Sequence, residues 1–100
     1  MVNVRDGQVD WQVQRNDERS RYELKVDGDL VGIAEFVDDG ATVVFPHTVI
    51  DPARRGQGLA PRLVRGALDD VRASGRPIVP ECWYVRQFVD THPEYQDLLA

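Results

Sequence analysis

One cysteine in a chain of 100 residues excludes an internal disulfide. With only two histidines, at positions 47 and 92, it also excludes a metal site built on cysteine ligands. Cysteine this sparse makes a cytosolic location the default expectation. Long apolar runs are missing too. Nothing approaches the ~20 residues that span a bilayer, so no membrane segment is expected, and residues 1–6 carry no apolar core of the kind a secretion signal needs. No internal repeat, low-complexity tract or linker interrupts the chain. Positive charge is in deficit: 12 basic against 17 acidic residues leave a net charge of −5. That balance argues against nucleic-acid binding, which relies on neutralising phosphates.

What is present fits one ordinary globular domain, with 42% apolar and 29% charged residues. Residues 1–8 read as a flexible, polar N-terminus and residues 9–100 as the domain. Tyr22, Leu24 and Val26 alternate with charged residues, which predicts a strand. Asp27-Gly28-Asp29 and Asp38-Asp39-Gly40 are turn signals, so residues 30–37 and 41–50 follow as two more strands in antiparallel hairpins. Pro46 cannot donate to a ladder, which leaves a plain edge strand, a bulge or a local parting of strands. Leu59, Leu63, Val64, Ala67, Leu68 and Val71 form one apolar stripe at helical spacing, ended by Ser74-Gly75. Ile78-Val79 between two prolines is a short strand, and strand, helix, strand makes a crossover whose strands run parallel. A short helix is expected from Trp83 to Asp90, closed by His92-Pro93. The fold class is mixed α/β: antiparallel hairpin strands followed by a strand–helix–strand crossover.

Charge is unevenly placed. Residues 52–65 hold four arginines (54, 55, 62 and 65) and no acid, a local +4 that favours a compact polyanion. The long helix starts directly after Gly56-Gln57-Gly58. Its first backbone N–H groups lack partners and sit at the positive end of the helix dipole, an anion site that glycine lets a phosphate approach closely. Neither the nucleotide-triphosphate loop nor the dinucleotide fingerprint fits, since no Gly-Lys-Ser/Thr follows and Pro61 takes the third glycine position. The alternative is a glycine-containing helix entry with solvated arginines.

Arg55-x-x-Gly58-x-Ala60 between strand and helix resembles the coenzyme A pyrophosphate motif of the GNAT acetyltransferase superfamily. His47-Thr48 before it, Pro80-Glu81-Cys82 after the next strand and His92-Pro93-Glu94-Tyr95 near the end resemble, in that order, the compact GNAT-like N-acetyltransferases of about a hundred residues. The similarity covers roughly residues 9–99. It implies the GNAT-like acyl-CoA N-acyltransferase fold, acetyl-coenzyme A as co-substrate without a metal, and a primary amine as acceptor. It also implies phosphate contacts from Arg54, Arg55, Gly56, Gln57, Gly58, Leu59 and Ala60, and strand-like backbone contacts from Val49 and Ile50 to the pantetheine arm. Pro61 departs from the pattern and removes one donor. Trp83-Tyr84 departs as well, where relatives often have Pro-Phe, so the acceptor mouth differs.

Two residues carry the candidate chemistry. Cys82 precedes the second helix, where the dipole favours a thiolate, and the resemblance places it at the thioester end of the co-substrate. It is either a nucleophile that takes the acetyl group, a wall of the channel, or a small buried hydrophobe. His47 is the other, since histidine as a residue type titrates in the range needed to take a proton from an amine whose unperturbed pKa is ~10.4, or to activate Cys82. The alternative is a core histidine bonded to a carbonyl. Glu81, Tyr84 and Glu35 are lesser candidates. An N-acetyltransferase is the first expectation. A non-catalytic coenzyme A-binding module and a protein-interaction domain using Trp83-Tyr84 are the alternatives.

Overall fold

The computed structural model describes the backbone of residues 2–6 and 9–100, and side chains from Asp10 onward. Six strands form one sheet in chain order: β1 (Val2–Asp6), β2 (Val9–Asn16), β3 (Arg21–Val26), β4 (Asp29–Asp38), β5 (Val43–Ile50) and β6 (Ile78–Val79). All neighbours are antiparallel except β5 and β6, which run parallel through the pairs Val43↔Ile78 and Val44↔Val79. The helix α1 (Leu59–Ser74) makes the crossover between them, preceded by a 3-10 turn at Pro52–Arg54. Helix α2 (Trp83–Asp90) and a second 3-10 turn (Pro93–Leu98) complete the chain. The Ala100 N–H returns to the Ile78 carbonyl at 3.0 Å, so the C-terminal end pairs beside β6.

The hairpins, the crossover, α1, β6 and α2 agree with the expectations from sequence. The expected loose end over residues 1–8 is corrected for Val2–Asp6, which pair with β2 from Val2↔Val13 to Asp6↔Val9. Met1, Gly7 and Gln8 lie outside the described residues. Val2 and Val4 alternate with Asn3 and Arg5, and Trp11 and Val13 with Gln12 and Gln14. That period of two is short but sufficient once the neighbouring hairpin supplies a template.

Helix α1 buries its predicted stripe, all six residues at 7% exposure or less. Opposite it lie Val13, Tyr22, Leu24, Ala34, Phe36 and Phe45 from four strands, in one continuous core. Each of the valine, leucine and phenylalanine side chains contributes roughly 1.5–3 kcal/mol by leaving water. Gly66 lets α1 lie close on β2: a Cβ there would be 2.7 Å from the Val13 side chain. Gly75, at φ 79°, ends α1 with its N–H on the Arg72 carbonyl, the left-handed cap that glycine adopts without penalty.

A polar knot ties the far end of the sheet. Asp38 closes β4 and accepts bonds from Arg76, from Arg15 on β2 at 3.0 Å, and from the Gly40 N–H at 2.9 Å. The Gly40 bond and the Arg76 guanidinium hold its carboxyl down at about 2. The folded state thus binds the proton less readily than the unfolded chain, whose carboxyl titrates near 3.8. The stability Asp38 supplies is complete above that value and is lost as pH falls towards about 2. Asp38→Asn is therefore expected to melt below wild type at pH 7, with the gap closing by pH 2 in parallel thermal scans. A gap that persists unchanged at pH 2 would assign the effect to packing.

Candidate functional site at the helix entry and the strand parting

The entry to α1 forms a concave surface. Gly56 and Gly58 hold φ values of 84° and 71°, and a side chain at either would meet nothing within 4 Å. Gly58 is the N-cap and offers no side-chain acceptor, and the first turn carries no acid. The leading amides of α1 therefore lack an intramolecular side-chain partner at the positive end of the dipole. A cleft of about 220 Å³ lies here, lined by Ile50, Arg54, Arg55, Gly58, Leu59 and Ala60 among others. Gly56 is also on its wall, whereas the exposed Gln57 is not.

The local +4 is dispersed in the fold. Arg62 lies over the Trp11 ring at 4.7 Å, and Arg65 bonds the Tyr95 hydroxyl at 3.2 Å and approaches Glu94 at 3.6 Å. Arg54 pairs with Asp29 at 3.4 Å. Arg55 is exposed and makes no side-chain ion pair among the described residues. Helical spacing explains this: residues 62 and 65 are three apart on one face of α1, and that face looks towards the hollow between β2 and α1 instead of the helix entry.

The other end of the site is the parting of β5 from β6. The two strands pair only at residues 43–44 and 78–79. The Cys82 N–H then bonds the Phe45 carbonyl at 2.8 Å, closing the vertex. Beyond it, β5 pairs only with β4. Pro46 sits at a bulge: Glu35 faces His47 and Val37 faces Val44, so Phe45 and Pro46 together oppose Phe36. Bulge and parting thus occur together at the proline, and β5 is a true edge only from there onward.

The bulge decides which side chains meet. In a regular strand His47 would share the inner face with Phe45. The extra residue inverts that order. Thr48, opposite the buried Ala34, takes the inner face, and His47, opposite Glu35, takes the outer one. The thiol of Cys82, 8% exposed, accordingly donates to the Thr48 hydroxyl, Sγ to Oγ1 3.6 Å. His47 is exposed, and its ring forms no hydrogen bond among the described residues. The two expected catalytic residues are therefore not brought together. The partner of Cys82 is the residue that follows the histidine. Pro46 was the signal for this shift, because a bulge displaces the alternation by one.

Backbone groups follow the same alternation. The Asp51 N–H bonds the Val31 carbonyl at 2.8 Å, which directs the backbone of Asp51, Val49 and His47 towards β4. Thr48 and Ile50 direct theirs to the open edge. Ile50 therefore keeps on the open edge the backbone groups that the expected contact would use, while Val49 spends its amide and carbonyl on the ladder. Tyr84 packs on the core, and burial pushes its phenol above the ordinary value, so it keeps its proton. Trp83 is 74% exposed and meets Tyr84 edge-on at 5.7 Å.

A larger hollow of about 570 Å³ lies between β2 and α1, walled by Trp11, Val13, Tyr22, Gly66, Asp69 and Asp70 among others. It includes neither Cys82 nor residues 54–60, so volume alone does not mark the chemistry. Among the described residues no group of three or more acidic, histidine or cysteine side chains could hold a metal. No helix there is long and apolar enough to cross a membrane.

Comparison with known proteins agrees with this geometry. The profile described as GCN5-related N-acetyl-transferase matches residues 21–98. Protein NATD1 of Danio rerio is 29% identical over 99 residues, covering 94% of this chain and 89% of its own length. Protein NATD1 of Gallus gallus is 30% identical over 86 residues, covering 82% and 76%. Protein NATD1 of Bos taurus is 31% identical over 85 residues, covering 81% and 74%.

Proposed function

Because the chain belongs to the GCN5-related N-acetyltransferase family, we propose that it binds acetyl-coenzyme A and transfers the acetyl group to a primary amine. The observation that carries this reading is the line joining two features. An uncapped, acid-free helix entry with two glycines at positive φ lies at one end of the β5 edge, and a thiol at the strand parting lies at the other. The pyrophosphate would lie on the amides of residues 56–60, with Arg55 and Arg54 beside it. The pantetheine arm would pair with the Ile50 and Thr48 edge groups like an added strand, bringing the thioester to Cys82. A backbone N–H on that edge would hold the thioester carbonyl, and such a donor contributes a few kcal/mol to the transition state. Pro61 donates nothing, which confines the phosphate donors to the backbone before it.

The test has two steps. Saturating acetyl-coenzyme A is expected to raise the melting temperature by mass action; no rise at millimolar ligand would remove the proposal. Incubation with acetyl-coenzyme A and an amine panel, followed by intact mass and coenzyme A release, then reads transfer. A non-catalytic coenzyme A-binding module is the second reading, favoured by His47 facing away from Cys82. Binding with no release across the panel would select it.

A further inference from the structure

We infer that Thr48 is a positioning residue for Cys82, an assignment that rests on the acyl-transfer reading above. Thr48 is the polar side chain bonded to the thiol, at 3.6 Å, and it is the residue the bulge at Phe45 and Pro46 turns inward. Its neighbours on that face, Ala34 and Phe45, are buried at 1% exposure and offer no polar atom. The α2 N-terminus does not use the thiol as a cap. The side chain of Cys82 is thus held across the strand parting from the β5 edge, not along its own helix.

A hydroxyl suits this place because it both accepts and donates. In the resting thiol, Oγ1 accepts the S–H. When Cys82 attacks an acetyl thioester, a bond forms between Sγ and the acetyl carbon while the carbon–sulfur bond to the coenzyme breaks. The departing sulfur leaves with the electron pair and takes up the proton that Cys82 released, so thioester is exchanged for thioester and no further reactant is needed. As the thiolate develops, rotation of the Thr48 hydroxyl lets it donate to sulfur, and a hydrogen bond to an ionised group is roughly twice as strong as a neutral one. Valine has the same shape and cannot do this.

The experiment measures alkylation of Cys82 by iodoacetamide at one fixed pH, followed by intact mass, in wild type, Thr48→Val and Thr48→Ser. Thr48→Val is expected to slow alkylation about tenfold, and Thr48→Ser to stay within about twofold of wild type, because it keeps the hydroxyl. Rates of acetyl-Cys82 formation from acetyl-coenzyme A should fall in the same order. Equal or faster alkylation of Thr48→Val overturns the assignment, as does a serine variant that drops as far as the valine one. If Thr48→Val does not fold, Thr48→Ala is run against Thr48→Ser with the same criteria. Alkylation needs no coenzyme, so failure of the acyl-transfer reading appears separately, as wild type that neither shifts with acetyl-coenzyme A nor becomes acetylated.

Discussion

Leu63→Ala is expected to lower stability by about 2–5 kcal/mol, and the melting temperature by on the order of 10–20 °C for a domain this size. Leu63 is fully buried one turn into α1. It lies over Gly32 of β4, where a Cβ would be 3.4 Å from the leucine Cδ2 and 2.6 Å from Ile50 Cδ1. Gly32 leaves no side chain to refill the space, so the cavity would persist, and it would open directly behind the phosphate turn. Thermal and urea unfolding measure the loss, and Leu30→Ala, at a position 44% exposed, is the control expected to stay within about 0.5 kcal/mol. A loss below about 1 kcal/mol for Leu63→Ala would mean that α1 is anchored elsewhere.

Arg55→Glu is expected to weaken acetyl-coenzyme A binding by one to two orders of magnitude, about 2 kcal/mol. Its side chain is the least committed of the four arginines in residues 52–65, since 54, 62 and 65 each engage another partner. Reversal removes an attraction and adds a repulsion beside the phosphates. The loss should shrink as salt rises, because exposed charges are screened. Calorimetric titration at two ionic strengths reads both effects, with Arg19→Glu in the exposed turn after β2 as the control for net charge. Equal affinity in Arg55→Glu would show that the phosphates lie elsewhere.

Much of the fold was legible because it rests on local patterns. The stripe from Leu59 to Val71, the Gly75 stop, the two turns and Ile78-Val79 between prolines all act within a few residues. β1 and β2 were not recovered, since their short alternations gain meaning only from pairing with β3. At the site, the turn at 54–60 could be read from glycine and dipole chemistry alone. Which of His47 and Thr48 reaches Cys82 could not, because it depends on a register between β4 and β5 that neither strand encodes by itself. The arginine cluster shows the same limit. Adjacency in sequence gave a patch, and the helix carried two of its four arginines away from the entry to the hollow beside β2.

The bulge at Phe45 and Pro46 leaves β5 running in two phases. Its first half keeps time with β6 and the core, its second half with β4 and the open edge, and the spare residue is the joint between them. Dropping residue 46 would keep Thr48 inward. Dropping 47 alone would do the same, because one residue still separates Phe45 from Thr48, whereas adding one residue after 47 would swap inner and outer faces throughout the edge. The chain's length is therefore loosely constrained at the joint and tightly constrained one step past it, so a length change there acts as a change of chemistry more than of shape.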